Sequence, residues 1–290
     1  MRKLRNIYLV AVFACLYACE DAIDVDLDTG ESQLVVDAFL TNDSSLQEIR
    51  LTKSADYFLN APTPTVNNAT VDVIGPNNQR FEFVSDGSGN FVYDPQTEGP
   101  LDSIGFIYQL ELIYEGNKYT STSLLNPVPP IDTMLYSFEE ASTFNEEGYY
   151  TQFFATDLAG RKDYYWIKAF KNGIPINEEN PSSLILAEDA SFIGGGADGF
   201  PFILPLRAAI TDDENPFQVG DVSSVELLSL NEAAFEYLDQ VTIQANNGGL
   251  FSTPPANIRS NILDASGNLQ EKVLGVFSLS AISRDSVLIK

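Results

Sequence analysis

Apolar and polar residues alternate with a period of two through most of residues 33–125. The segments "QLVVDAFL" (33–40), "LQEIRLTKS" (46–54), "ATVDVIG" (69–75), "RFEFV" (80–84) and "FVYD" (91–94) each place every second side chain on one face, Val71 with Val73 and Phe81 with Phe83. That is the pattern of half-buried β-strands. "NAPTPTVNN", "PNNQ" and "SDGSGN" between them carry the Pro, Gly and Asn of connections and tight turns. "GFIYQLELIYEGNKYTSTSLL" adds two more strands around Glu115-Gly116-Asn117. Seven short strands at this spacing predict an immunoglobulin-like or transthyretin-like β-sandwich over residues 32–125.

"NPVPPID" (126–132) interrupts the pattern, and its prolines forbid regular helix or central strand. Residues 126–131 are expected to link the sandwich to a second β-rich domain spanning 132–290. Strands are expected at "TMLYSFEE", "GYYTQFFATDL" and "DYYWIKAFKNG", with the "AGRKD" turn joining the last two as a hairpin. Residues 174–220 read as irregular, and "DVSSVELLSL" (221–230) as a strand. The period then changes. Leu230, Ala234, Tyr237, Leu238 and Val241 follow helical spacing, which predicts an amphipathic helix near 230–245 packed on the second sheet. Ser229-Leu230-Asn231-Glu232 matches a capping box at its start. "KVLGVFSLSAISRDSVLIK" closes the chain as two strands.

The first 18 residues have a different form. Arg2, Lys3 and Arg5 precede an apolar run from Ile7 to Ala18. That run is shorter than the roughly 20 residues that span a bilayer. A basic start, a short apolar stretch and a small residue before a cut describe a signal peptide over 1–18. Leu16-Tyr17-Ala18-Cys19 resembles a bacterial lipobox, with Tyr17 bulkier than usual at its place. The resemblance implies a diacylglyceryl thioether, and after cleavage a further acyl chain such as palmitate, on Cys19. An acidic leader (19–31) would follow.

Composition narrows the chemistry. The chain holds 41 acids against 16 bases, a net charge of −25. Such a charge opposes nucleic acid, which rewards Lys and Arg at phosphates. At 44% apolar residues it has ample material for a core. Histidine is absent, which excludes Ser-His-Asp and Cys-His machinery and the commonest zinc ligand. Of the two cysteines, Cys15 lies in the leader and Cys19 at the lipobox, so the mature chain has no disulfide.

Three motifs invite chemistry. Asp24-x-Asp26-x-Asp28 imitates the start of a calcium loop, but Thr29 and Val35 stand where that loop needs Gly and Glu. Alternation with Ile23, Val25 and Leu27 reads instead as an extended leader with one wet face, and no metal or other cofactor is expected. Gly194, Gly196 and Gly199 form G-x-G-x-x-G, yet Pro201 and Pro205 deny it the helix a dinucleotide site needs. Glu139/Glu140, Glu146/Glu147, Glu178/Glu179 and Asp212-Asp213-Glu214 are acidic groups of the kind a glycosidase requires in pairs, and equally of a solvated surface. Tyr149, Tyr150, Tyr164, Tyr165 and Trp166 are candidate stacking surfaces for a sugar or peptide, although alternation places half of such rings in the core.

"CEDAIDVDLD…LVVDAFLTN", "NPVPPIDTM", "GRKDYYWIKAF", "GDVSSVELLSLNEAAFEYL" and "GGLFSTPPANIRSNI…LGVFSLSA" together resemble the Bacteroidota lipoproteins of the domain-of-unknown-function 4249 family. The resemblance implies a lipid-anchored outer-membrane protein, encoded near TonB-dependent transporters and facing the cell surface or, alternatively, the periplasm. Its first domain would be similar to carboxypeptidase-regulatory sandwiches. It transfers no catalytic residue and only one position, Cys19. Acids directly after that cysteine resemble a surface-export signal in this phylum; Glu20 and Asp21 fit it, and fit equally a plain leader. The expected function is a non-enzymatic, ligand-capturing or accessory component of a TonB-dependent nutrient uptake system. The alternatives are a surface hydrolase using paired carboxylates, or an adhesin or scaffold.

Overall fold

The computed structural model describes residues 32–55, 62–176, 181–194, 196–247, 258–269 and 273–290. The leader, with Cys19, Glu20, Asp21 and the Asp24/Asp26/Asp28 series, lies outside the described residues, as do Glu178 and Glu179. Ser32–Lys290 form one compact, mainly β unit.

All seven strands of the first region are present: β1 (Leu34–Thr41), β2 (Gln47–Lys53), β3 (Thr70–Ile74), β4 (Arg80–Ser85), β5 (Asn90–Tyr93), β6 (Ile107–Tyr114) and β7 (Asn117–Leu124). Alternation does the work in β1, which buries Leu34, Val36, Ala38 and Leu40 and turns the residues between them outward. Glu115 and Gly116 both take positive φ, the two-residue turn whose twist suits the β6–β7 hairpin. A one-turn helix, α1 (Pro95–Glu98), follows β5 with Asp94 as its cap.

These strands share one nine-stranded sheet, ordered β14-β7-β6-β3-β4-β5-β2-β1-β15. Its two outer members, β14 (Leu263–Asp264) and β15 (Val273–Ser280), arrive from the far end of the chain, and β15 runs parallel to β1. The sheet curls because β4 changes partners along its length. Residues 80–83 pair with β3, whereas Val84 and Ser85 pair with β5. Curling brings β7 and β15 close, and the Ser123 hydroxyl accepts from the Leu279 N–H at 2.9 Å. Asn261 bridges beside it, donating to the Phe277 carbonyl and accepting from the Phe277 N–H. Phe81, Phe83, Phe91, Tyr93 and Tyr108 fill the enclosed core. Each such ring stabilises the fold by about 1.5–3 kcal/mol.

Beyond the Pro-rich connection, β8 (Ile131–Glu139) and β9 (Gly148–Ala155) form a two-stranded ribbon. A second sheet has the order β11-β10-β13-β16, from β10 (Tyr164–Lys171), β11 (Ile174–Pro175), β13 (Val222–Leu230) and β16 (Ile282–Leu288). The short β12 (Ile185–Glu188) also pairs with β10. The ribbon stacks on the inner face of this sheet, burying Met134, Phe153 and Ala155 against Tyr165, Ile167, Val225 and Leu227.

Three expectations change here. The 159–163 turn is not a hairpin: β9 pairs with β8, β10 pairs with β13, and the turn is a corner between layers. Stacking buries the apolar faces of both strands, which edge pairing would have left side by side. Buried carboxylates hold the corner. Asp157 accepts from the Tyr165 hydroxyl at 2.5 Å and from the Gly199 N–H at 2.9 Å, and Asp189 accepts from the Asp163 N–H. Second, Ser229 does not cap the helix. It stays in β13, where its hydroxyl donates to the Asn126 carbonyl at 2.7 Å. The strand keeps its ladder through Leu230, so α2 (Glu232–Ala245) starts two residues later, with Asn231 accepting from the Ala234 N–H. Third, α2 does not rest on the second sheet alone. Its buried Ala234, Phe235 and Leu238 pack against Tyr164, Leu186 and Leu230, and also against Val276 of β15 in the first sheet. The chain thus crosses back to the first sheet after α2 and leaves it again at Ala281, which alone separates β15 from β16.

Candidate functional site

Period-two alternation along β10 sends Tyr165, Ile167 and Ala169 inward and Trp166, Lys168 and Phe170 outward. Register carries the outward face across the sheet. Trp166 aligns with Leu228 and Ile282, Lys168 with Glu226 and Arg284, and Phe170 with Ser224 and Ser286. α2 covers the Tyr164–Leu230 end of this face, and beyond it no third layer covers the face among the described residues. Three neighbouring cavities share its residues. The central one, of ≈ 240 Å³, lies where Trp166 and Lys168 meet Phe39, Thr41 and the Ser45–Glu48 stretch of the first sheet. Through Glu226 and Arg284 it continues into an open depression of ≈ 540 Å³ beside Phe170. Through Trp166 and Lys168 it reaches a narrow, mostly apolar slot of ≈ 30 Å³ against Leu184 and Ile185.

The groove wall is aromatic and charged at once. Phe39 meets Trp166 edge to face, with ring centroids 5.4 Å apart. The Lys168 ammonium sits 4.0 Å from the centre of the Trp166 ring, a cation–π contact. Arg284 ties the two sheets together across the groove, reaching Glu226 at 2.6 Å and Asp43 at 2.5 Å. Partial burial opposes the Arg284 charge, but the Glu226 and Asp43 hydrogen bonds outweigh it and raise the pKa. Asp37 lies one step along β1 from Phe39, opposite Arg50. It is open to water yet closely walled, and burial pushes its carboxyl above the ordinary range despite the nearby Arg50 and Lys168. Tyr237 of α2 is raised as well, by burial and by the Asp37 charge. Trp166, Phe39, Lys168, Glu226 and Arg284 can bind a ligand by stacking, by charge and by hydrogen bonds from one concave surface.

The five candidate aromatics separate. Trp166 lies in the groove. Tyr165 is wholly buried in the second core, where burial and its hydrogen bond to Asp157 push its hydroxyl pKa far up. Tyr164 faces α2, with its ring 4.6 Å from Phe235 and its hydroxyl donating to Glu232. Tyr149 and Tyr150 belong to the ribbon. Tyr149 packs on Tyr136 and Phe138, and the Tyr150 hydroxyl donates to the Glu146 carbonyl. Phe39, Lys168, Glu226 and Arg284 complete the groove. Their sequence signal is faint: Lys168 on β10, Ser224 and Glu226 on β13, and Arg284 and Ser286 on β16 interrupt an outward row that is otherwise aromatic or aliphatic.

Glu139, Glu140, Glu146 and Glu147 are exposed on the ribbon and its loop. The Glu146 N–H donates to the Asp213 carbonyl, which brings that loop against residues 212–214. Among the described residues, no three His, Cys, Asp or Glu side chains are grouped to hold a metal ion. Gly194, Gly196 and Gly199 all take positive φ in the connection between β12 and Pro201, with no strand-to-helix transition around them.

A family model described as a domain of unknown function (DUF4249) matches residues 20–286, nearly the whole chain. No curated protein matches it.

Proposed function

The chain belongs to the DUF4249 family, and from that premise we propose that it is a lipid-anchored binding protein of a Bacteroidota outer membrane, serving a TonB-dependent uptake system without catalysing a reaction. The groove carries this reading. Its cations stand over an aromatic ring or between carboxylates, as Lys168 does over Trp166 and Arg284 between Glu226 and Asp43. Groups held in this way recognise a ligand and fix its orientation. The lipobox-like Leu16–Cys19 supports the anchor, and two or three acyl chains at about 0.8 kcal/mol per buried methylene hold a protein stably at a bilayer. Tethering would keep the groove near a transporter at high effective concentration. Glu20 and Asp21 supply the acidic start that would direct the protein outward.

Two experiments test the proposal. In cells fed radioactive palmitate, the natural chain is expected to label and Cys19→Ser to stay unlabelled while folding normally; label on Cys19→Ser refutes the anchor. Extraction in mild detergent and pull-down is expected to bring a TonB-dependent transporter along. A pull-down without one refutes the accessory role.

A further inference from the structure

The ribbon offers a second surface that shares no residue with the groove. Its inner face carries Met134, Tyr136 and Phe138 on β8, beside Phe153, Thr151 and Tyr149 on β9. Exposure climbs along that row. Met134 is buried, Tyr136 is half-buried, and Phe138 is 52% exposed. At this end Phe138 meets Tyr149 edge to face, with centroids 5.3 Å apart, while the Tyr149 backbone pairs with Phe217. Leu135 on the opposite face is 55% exposed, and Phe144 in the loop is 88% exposed. Among the described residues, β9 is the one strand whose backbone ladder pairs with β8; at the other end of β8 the Ile131 N–H donates to the Ser283 hydroxyl of β16, and the Lys290 N–H donates to the Tyr136 hydroxyl. Past Tyr136, the exposed Ser137–Glu139 stretch leaves its outer edge without a ladder partner, a template for another strand.

Charge identifies the occupant. Residues 131–150 contain no lysine or arginine, but they carry Asp132, Glu139, Glu140, Glu146 and Glu147. The Glu146–Asp213 backbone bond adds Asp212, Asp213 and Glu214 to the same end. The nearby cations are fewer: Lys171 is engaged by Asn215, Pro216 and Asp221, Arg207 by Gln152 and the Phe154 ring, and Lys290 lies at Tyr136. An open strand edge, aromatic faces and an excess of carboxylates together suit an extended chain whose side chains are cationic. Backbone pairing would give affinity, and lysine or arginine over Phe138 and Tyr149 would give selectivity. We propose that the exposed end of the β8–β9 ribbon docks a basic, extended segment of another polypeptide by adding it as a strand to β8.

The test titrates the full chain with a short peptide of alternating lysine and valine, at low and at raised salt. Binding is expected at low salt and should weaken as salt rises. Phe138→Ala, at an exposed position that leaves the fold intact, is expected to weaken it about tenfold or more. Glu146→Gln with Glu147→Gln should do the same. A control pair, Glu98→Gln with Asp102→Asn, removes equal charge elsewhere and should change affinity by less than about twofold. A peptide N-methylated at every second residue, which cannot pair with a strand edge, should not bind. Absence of binding by the lysine–valine peptide overturns the proposal. So does equal weakening by the control pair, indifference to Phe138→Ala, or undiminished binding of the N-methylated peptide.

Discussion

Gly275 is where the C-terminal part of the chain is locked into the first sheet, and Gly275→Ala probes that lock directly. The residue stands in β15 opposite Val36 of β1, with φ at +103°. A Cβ added there would lie 1.8 Å from the Val36 carbonyl oxygen and 2.7 Å from its carbon, against ordinary contacts of 3.4–4 Å. Both neighbours are backbone, so no rotamer change relieves the clash. Two costs add. An alanine at this φ costs about 1–3 kcal/mol, and forcing the strands apart costs about 1–3 kcal/mol as overpacking. The sum, about 2–6 kcal/mol, lowers Tm by about 4–24 °C at about 2–4 °C per kcal/mol for a unit of this size. Gly87→Ala serves as the comparison. Its φ is +86°, but nothing lies within 4 Å of the added Cβ, so it carries the backbone cost alone. Thermal unfolding followed by circular dichroism, with urea midpoints as a second measure, should rank Gly275→Ala well below Gly87→Ala. Equal shifts for the two variants would refute the close approach of β15 to β1.

Three further outcomes are expected. Trp166 is the sole tryptophan, so its emission reports the groove alone; Phe39→Ala removes the ring 5.4 Å away and should shift emission to the red, whereas an unchanged spectrum would contradict the contact. Tyr165→Phe removes the buried hydroxyl that donates to Asp157 and should destabilise by about 1.5–3 kcal/mol in urea titration, the range for a hydrogen bond to a charged acceptor; a cost below about 0.5 kcal/mol would deny that bond its role at the corner. Asp221 is held below the ordinary aspartate value of 3.8 by hydrogen bonds from Asn172 and the Gln218 N–H, and by the Lys171 charge. A lowered carboxyl stabilises the fold above its unfolded pKa and loses that contribution as pH falls through the folded one. Asp221→Asn should therefore flatten the loss of stability below about pH 4, and an unchanged acid limb in urea midpoints would refute the assignment.

The pattern of the chain discloses strands far better than it discloses their partners. Alternation in "LVVDAFL" or "RFEFV" states that one face is dry, and burial of Val36, Ala38, Phe81 and Phe83 follows. It does not state which edge pairs. "GYYTQFFA" and "DYYWIKAF" flank a tight turn and look like a hairpin, yet they stack as layers because each has a full apolar face to cover. The same gap hid the destination of "VLGVFSLS", whose inward side chains would suit either sheet. The capping box failed for a related reason: Ser229 had two partners to choose from, and the β13 ladder offered the stronger set. As for the groove, Trp166 stood out as one of five aromatics. Its companions did not, because Phe39, Glu226 and Arg284 come from distant parts of the chain and meet through strand register alone.

Register also explains how one sheet serves two purposes. On β10 the inward residues Tyr165, Ile167 and Ala169 carry packing energy, each buried against the ribbon and its neighbours. The outward residues Trp166, Lys168 and Phe170 face the groove and are half-buried. Substituting Lys168 forfeits little apolar burial, so ligand preference can change there at small cost to stability, whereas Trp166 also packs against Phe39 and the α2 cluster. Arg284 has a second role. It is exposed enough to touch a ligand, yet it joins Asp43 of the β1–β2 connection to Glu226 of β13, and so couples groove width to the seating of one sheet on the other. A ligand that competes for Asp43 or Glu226 would loosen that seam, which makes Arg284 the point at which occupancy of the groove can be felt in the relation between the two sheets.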